Sequence, residues 1–166
     1  TANTHLLSAI IAATSGDSTR AFAERHLFGP MGVNVHDWST DPDGIHIGGN
    51  NLWLKPRDLA RFGQLYLDGG RWGRRQLVPE SWIESSVSAG SEQSHDVYGG
   101  YGYLWWTPFA DGSFCAVGFG GQYLLVSPHA DTVVVITATL ASKGDRWEQS
   151  LFERIRDRMA ASLVSP

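Results

Sequence analysis

The sequence predicts an α+β fold, an antiparallel sheet with flanking helices, and three observations carry that prediction. Helical apolar spacing and capping residues recur through residues 1–97. Four strand-like runs then follow one another, joined only by short turns. An amphipathic stretch, DRWEQSLFERIRDRM, closes the chain. The 166 residues are one domain's worth, a mainly helical region over 1–97 and antiparallel strands plus a C-terminal helix over 98–166.

The helices come first. HLLSAIIAAT, residues 5–14, places Leu6, Leu7, Ile10 and Ile11 on one helical face, with Asn3 or Thr4 as N-cap and Gly16 past the end. Ser18 is placed to cap a second helix, STRAFAERHLF, which stops at Gly29-Pro30. Residues 31–55 read as irregular, with turn signals at Pro42–Gly44 and Gly48–Asn51. Pro56 suits the first position of a third helix, with apolar Leu59, Phe62, Leu65 and Tyr66 and a Gly69-Gly70 stop. Its Arg57, Asp58 and Arg61 read as a solvated face or a capping contact. VPESWIESSVS repeats the proline start for a fourth helix, and the polar stretch 88–97 reads as a loop.

The strands follow as YGYLWW, SFCAVGF, QYLLVSP and DTVVVITATL, and turns this short make neighbours antiparallel. Alternation sends Trp105 and Trp106 to opposite faces, one to the core and the other available to a pocket, while Tyr101 and Tyr103 share a face. In the closing helix Trp147, Leu151, Phe152, Ile155 and Met159 share one side and Asp145 can cap it.

Composition narrows the function. A formal net charge of -4 gives no electrostatic case for nucleic acid. Cys115 is the single cysteine, so no intramolecular disulfide can form, and it reads as a small buried hydrophobe. No apolar run is long enough to span a bilayer and no signal peptide is seen. The chain opens at Thr1 almost directly into a helix pattern, as a cut piece of something longer would. The histidines His5, His26, His36, His46, His95 and His129 lie at no metal-ligand spacing, and no metal or cofactor is expected. There is no Walker loop, no G-x-S-x-G elbow and no Ser-x-x-Lys. GGYGY enters a strand instead of leaving one, so it is no dinucleotide fingerprint.

One stretch stands out against this background. AVGFGGQYLLVSP, residues 116–128, sets Gly118, Gly120 and Gly121 in an apolar strand pattern. Strand glycine marks a bulge, a close packing contact, or a place where a ligand meets backbone. Spacing alone leaves the structural and the ligand readings open.

Several stretches in order resemble the serine β-lactamase-like hydrolases, a family that includes class C β-lactamases, penicillin-binding peptidases, esterases and 6-aminohexanoate-dimer hydrolases. They are TANTHLLSAIIAATSG with FAERHLFGPMGV, GGNNLWLKPRDLARFGQLYLDGG, the aromatic YGYLWW strand and the GFGGQ strand. The esterase and oligomer-hydrolase branch is the nearer one. The resemblance implies a β-lactamase/transpeptidase-like fold whose N-terminal part is missing, with the Ser-x-x-Lys nucleophile motif in that part. It places Thr1 at the third position of the Tyr-x-Asn motif, and puts the third motif on Phe119-Gly120-Gly121. It makes the backbone N–H of Gln122 half of the oxyanion hole. Beside that, Asn51, after Gly48-Gly49, reads either as a loop residue near the pocket mouth or as an Asx turn before a helix, and Trp106 is taken as the pocket-facing tryptophan. Phe119 cannot supply the cation of a Lys-Thr-Gly motif, which favours a neutral ester or amide over a β-lactam. The implied partners are that small substrate and either the missing N-terminal part or a second copy; the implied setting is periplasmic or secreted, with cytoplasmic members known in the oligomer-hydrolase branch. Two other readings stand beside it: an inactive binding or structural module of the same fold, and an N-terminal-Thr hydrolase using Thr1, disfavoured because Thr1 leads into a helix instead of a strand.

Overall fold

Alanine, leucine and isoleucine without an internal glycine or proline make Ala2–Ser15 a helix, α1. It ends as expected, with the Gly16 N–H donating to the Ala12 carbonyl. In the computed structural model, residues 2–88, 91–95 (backbone path only), 99–107, 111–138, 150, 153–155 and 157 are described. The contacts within them divide into two units, residues 1–61 and 62–166.

In the first unit Ser18 caps α2, Thr19–Ala23, its Oγ accepting from the Ala21 N–H at 3.1 Å. The helix widens into a π turn over Glu24–Phe28, which the Gly29 N–H closes onto the Glu24 carbonyl. Phe28, Met31, Val33 and Val35 form the apolar interior that follows. The stretch read as irregular contains a short antiparallel pair, β1 (Asp37–Trp38) with β2 (Leu52–Trp53), and a bridge between Thr40 and His46.

One expectation fails in α1: the helix starts at Ala2, so Asn3 and Thr4 lie inside it and do not cap it. On its apolar face Leu6, Leu7 and Ile10 are exposed, and the helix's buried residue is Ser8. Ser8 Oγ lies 2.6 Å from the His46 carbonyl and 2.7 Å from Thr19 Oγ1, whose hydroxyl donates to the Ser8 carbonyl at 3.0 Å. Polar contacts, not the apolar stripe, therefore set the rotation of α1.

Pro56 opens α3, Pro56–Leu67, as predicted. Of the two readings of Asp58, the solvated face fails: Asp58, in the first turn of α3, is buried and paired with Arg61 at 2.7 Å, while Arg61 also donates to the Gly32 carbonyl. After the Gly69-Gly70 stop a small hairpin joins β3 (Arg71–Trp72) to β4 (Arg75–Gln76), and α4 runs over Glu80–Val87 behind Pro79.

The sheet is a meander in the order β10-β9-β8-β7-β6-β5, every pair antiparallel. Its strands are β5 Ser91–His95, β6 Gly99–Tyr101, β7 Trp106–Thr107, β8 Phe114–Gly118, β9 Gln122–Ser127 and β10 Thr132–Ile136. The polar loop expected over 88–97 thus holds a strand; its alternation carries no apolar face, so hydrophobic pattern could not find it. YGYLWW is not one strand either. It turns between β6 and β7, with Gly102 N–H bonded to the Trp105 carbonyl and Leu104 at φ 68°. A side chain at Gly102 would run into the Ser86 and Ser88 carbonyls, so glycine lets the turn seat against the end of α4. Tyr103 consequently leaves the sheet and packs on Trp82, and does not share a face with Tyr101.

Both sheet faces are apolar. Register sets Phe114, Val126 and Val133 on one face and Cys115, Leu125 and Val134 on the other. Phe62, Tyr66 and Trp105 pack on the first with Phe114. Trp106 joins the second, its ring edge-on to Tyr101 at 4.8 Å. Of the closing helix, residues 150, 153–155 and 157 are helical; the apolar stripe, apart from Ile155, and the Asp145 cap lie outside the described residues.

Candidate functional site

The glycine cluster is a corner. Gly118 and Gln122 stand opposite each other at the end of the β8–β9 ladder, and Phe119, Gly120 and Gly121 make the turn between them. Gly120 and Gly121 are buried with φ of 85° and 81°, a conformation that disfavours any side chain. The turn alone therefore requires glycine at both positions, whatever passes beside it. Phe119 points away from this constraint, 83% exposed at the tip. An exposed phenylalanine on a tightly held turn is what the pattern of the sequence could not have shown.

Among the described residues, the strand leading to the corner has an open edge. β7 pairs with β8 only at Trp106–Cys115, so Ala116, Val117 and Gly118 have β9 on one side and, among the described residues, no strand on the other. Such an edge presents backbone donors and acceptors to a ligand. Among the described residues, the N–H groups of Phe119, Gly120 and Gly121 donate to no backbone carbonyl. Gln122 heads β9, an inner strand, and its side-chain Nε2 donates to the Ala138 carbonyl at 2.6 Å. That bond ties the corner to the chain beyond β10, a role for the Gln122 side chain that motif reading missed.

The family model described as Beta-lactamase matches residues 1–154. The chain belongs to the β-lactamase family. It is 28% identical over 144 residues to the 6-aminohexanoate-dimer hydrolase of Paenarthrobacter ureafaciens, covering 81% of this chain and 37% of that protein. A Bacillus anthracis structure assigned as a 6-aminohexanoate-dimer hydrolase superposes with TM-score 0.75 at 25% identity, over 97% of this chain and 43% of the other. A β-lactamase structure from Mycobacterium bovis gives 0.68 at 18% identity, over 98% and 62%, which speaks to fold alone. The chain thus spans about two fifths of the length of the hydrolase relatives.

In this β-lactamase-family chain Trp106 is half-buried in the sheet face that holds Cys115, beside β8. Trp105 is the core tryptophan. Asn51 belongs to the first unit; it is exposed, left-handed at φ 60°, and its carbonyl accepts from the Ser39 N–H, just before β2 and not before a helix. Thr1 lies outside the described residues. Burial pushes the Cys115 thiol up to about 12, so it is no thiolate nucleophile. Burial likewise raises the Tyr101 phenol above its ordinary value. His5 is structural, as expected: Nε2 is 2.9 Å from Asp41 Oδ2 and Nδ1 faces the Gly48 N–H, so both ring nitrogens are engaged. Among the described residues no group of His, Cys, Asp and Glu is placed to hold a metal ion, and no helix is long and apolar enough to cross a membrane.

Proposed function

We propose that this chain is the C-terminal portion of a β-lactamase-like domain and forms the third-motif wall of a serine hydrolase that cleaves a neutral ester or amide through an acyl-enzyme. The observation that carries the reading is the Phe119-Gly120-Gly121 corner at the end of the open β8 edge, in a chain of this family. The hydrolase relatives named for the 6-aminohexanoate dimer favour that branch over a β-lactam-cleaving one. Substrate lies along Ala116–Gly118 and brings its carbonyl to the corner. A serine outside this sequence attacks that carbonyl, its proton passing to a neighbouring base, and the leaving alcohol or amine departs to give the acyl-serine, which water then hydrolyses.

As the tetrahedral intermediate forms, its oxyanion needs fixed donors, and loss of one such donor costs about 10²–10³ in kcat. Motif alignment assigns this chain's donor to the Gln122 N–H; the turn amides of Phe119, Gly120 and Gly121 are competing donors on the same corner. Phe119 stands where a cation would recognise a carboxylate, so the preferred acyl group is neutral there.

The test is a chromogenic ester assay with burst kinetics. The 166-residue chain alone gives no burst; the complete natural polypeptide carrying it gives one, abolished by replacing the serine of its Ser-x-x-Lys. Phe119→Lys in that polypeptide shifts preference toward carboxylate-bearing substrates. Turnover by the chain alone, or a complete polypeptide with no Ser-x-x-Lys, would sink the proposal and leave a binding or structural module.

A further inference from the structure

The helix α1 is built inside out. Leu6 is 60% exposed and Ile10 48%, and with exposed Ala13 they follow the i, i+4, i+7 spacing of one helical stripe, flanked by Leu7. The opposite side carries Ser8, held by Thr19 and the His46 carbonyl. It also carries His5, paired with Asp41, and Thr4, whose carbonyl sits so close to Gly48 that no side chain fits between them. These contacts fix the helix about its axis, so the stripe cannot roll inward. A helix apolar on the side away from its own unit is one that another surface covers.

We infer that the Leu6–Ile10–Ala13 stripe is an internal contact face, covered by the part of the β-lactamase-family fold that the relatives possess and this chain does not span. The length of the relatives favours that occupant over a second copy. The hydrolase relatives are more than twice as long as the matched region, at 37% and 43% coverage. The family match, over residues 1–154, includes the whole of this helix, so the stripe belongs to the family's fold and not to an appended segment. The cover is an apolar helix or strand face without charge opposite Leu6 and Ile10. The inference rests on family membership and relative length, not on the proposed chemistry, so either can fail without the other.

Cysteine protection tests it. Leu6→Cys and Ile10→Cys are placed separately in the complete natural polypeptide that carries these residues, with Asp43→Cys, at an exposed turn, as the control. Native Cys115 is buried. Maleimide labelling at positions 6 and 10 is expected to be at least tenfold slower than at 43, and equal to it in denaturant. Labelling at the control rate in the folded polypeptide overturns the inference. So does protection that vanishes on dilution as a dimer dissociates in sedimentation, which would assign the face to a second copy. Should either cysteine variant fail to fold, Leu6→Gln supplies the second reading: a thermal midpoint lowered by several degrees in the complete polypeptide supports a covered stripe, and an unchanged midpoint overturns it.

Discussion

Two helices of this chain carry apolar side chains to opposite fates. α3, sharply divided into an apolar and a polar side, lays its apolar stripe on the sheet: Leu65 is fully buried, Gly63 meets Val133 and Leu124, and Phe62 and Tyr66 stack around Trp105 and Phe114. α1, apolar or small over most of its surface, turns Leu6, Ile10 and Ala13 outward and buries Ser8 instead. Periodicity says that a segment is helical and which residues share a side. It does not say which side the rest of the fold occupies, because that depends on partners distant in sequence.

The contrast can be broken most sharply at Leu65. Leu65→Ala removes a fully buried side chain and should cost about 2–5 kcal/mol, read as a lower urea midpoint of the 166-residue chain. Next comes Gly63→Val. A Cβ there would sit 2.5 Å from Val133 Cγ1 and 2.8 Å from Leu124 Cδ1, and overpacking of this kind costs about 1–3 kcal/mol by the same measurement. A variant as stable as the parent would show that α3 does not press on the sheet as described.

On α1 the effects invert. Ser8→Ala should cost about 1 kcal/mol, because Thr19 and the His46 carbonyl lose a hydrogen-bond partner. Leu6→Ala, a larger apolar deletion, should stay within about 0.5 kcal/mol in the 166-residue chain. If Leu6→Ala proved the costlier of the two, the inside-out description of α1 would be wrong.

The gentlest probe is pH. Burial, then the nearby Arg20 guanidinium, holds His46 below its ordinary value, with Glu24 opposing. The unfolded chain therefore binds a proton at His46 that the folded chain refuses. Stability is full above the unfolded value of about 6.5 and falls as pH drops from there through the lower folded value. His46→Gln should flatten that part of the stability–pH profile, measured by thermal melts across the window.

Local chemistry made much of the fold legible. Ser18 caps α2, Pro56 opens α3, and the tight turns make β8, β9 and β10 antiparallel, because caps, fixed φ and short connections act within a few residues. The strand β5 was hidden because its polar residues follow no hydrophobic alternation. The turn inside YGYLWW was hidden because its cause is Ser86, a residue of α4. The site was half legible. Phe119-Gly120-Gly121 and Gln122 could be marked as a motif, whereas the left-handed corner, the exposed Phe119 tip and the Gln122–Ala138 bond depend on how β8, β9 and the segment after β10 meet.

By itself the sequence determined the helices α1 to α4 and the strands β8, β9 and β10, the composition of the corner, and the absence of a Ser-x-x-Lys nucleophile from these residues. Those are properties of neighbours along the chain. Tertiary structure decided that β8 has an open edge among the described residues, that Trp105 and not Trp106 is the core tryptophan, and that the apolar stripe of α1 faces outward. Each of these depends on which distant surfaces are present to bury a group or to satisfy its hydrogen bonds, and no local pattern records that.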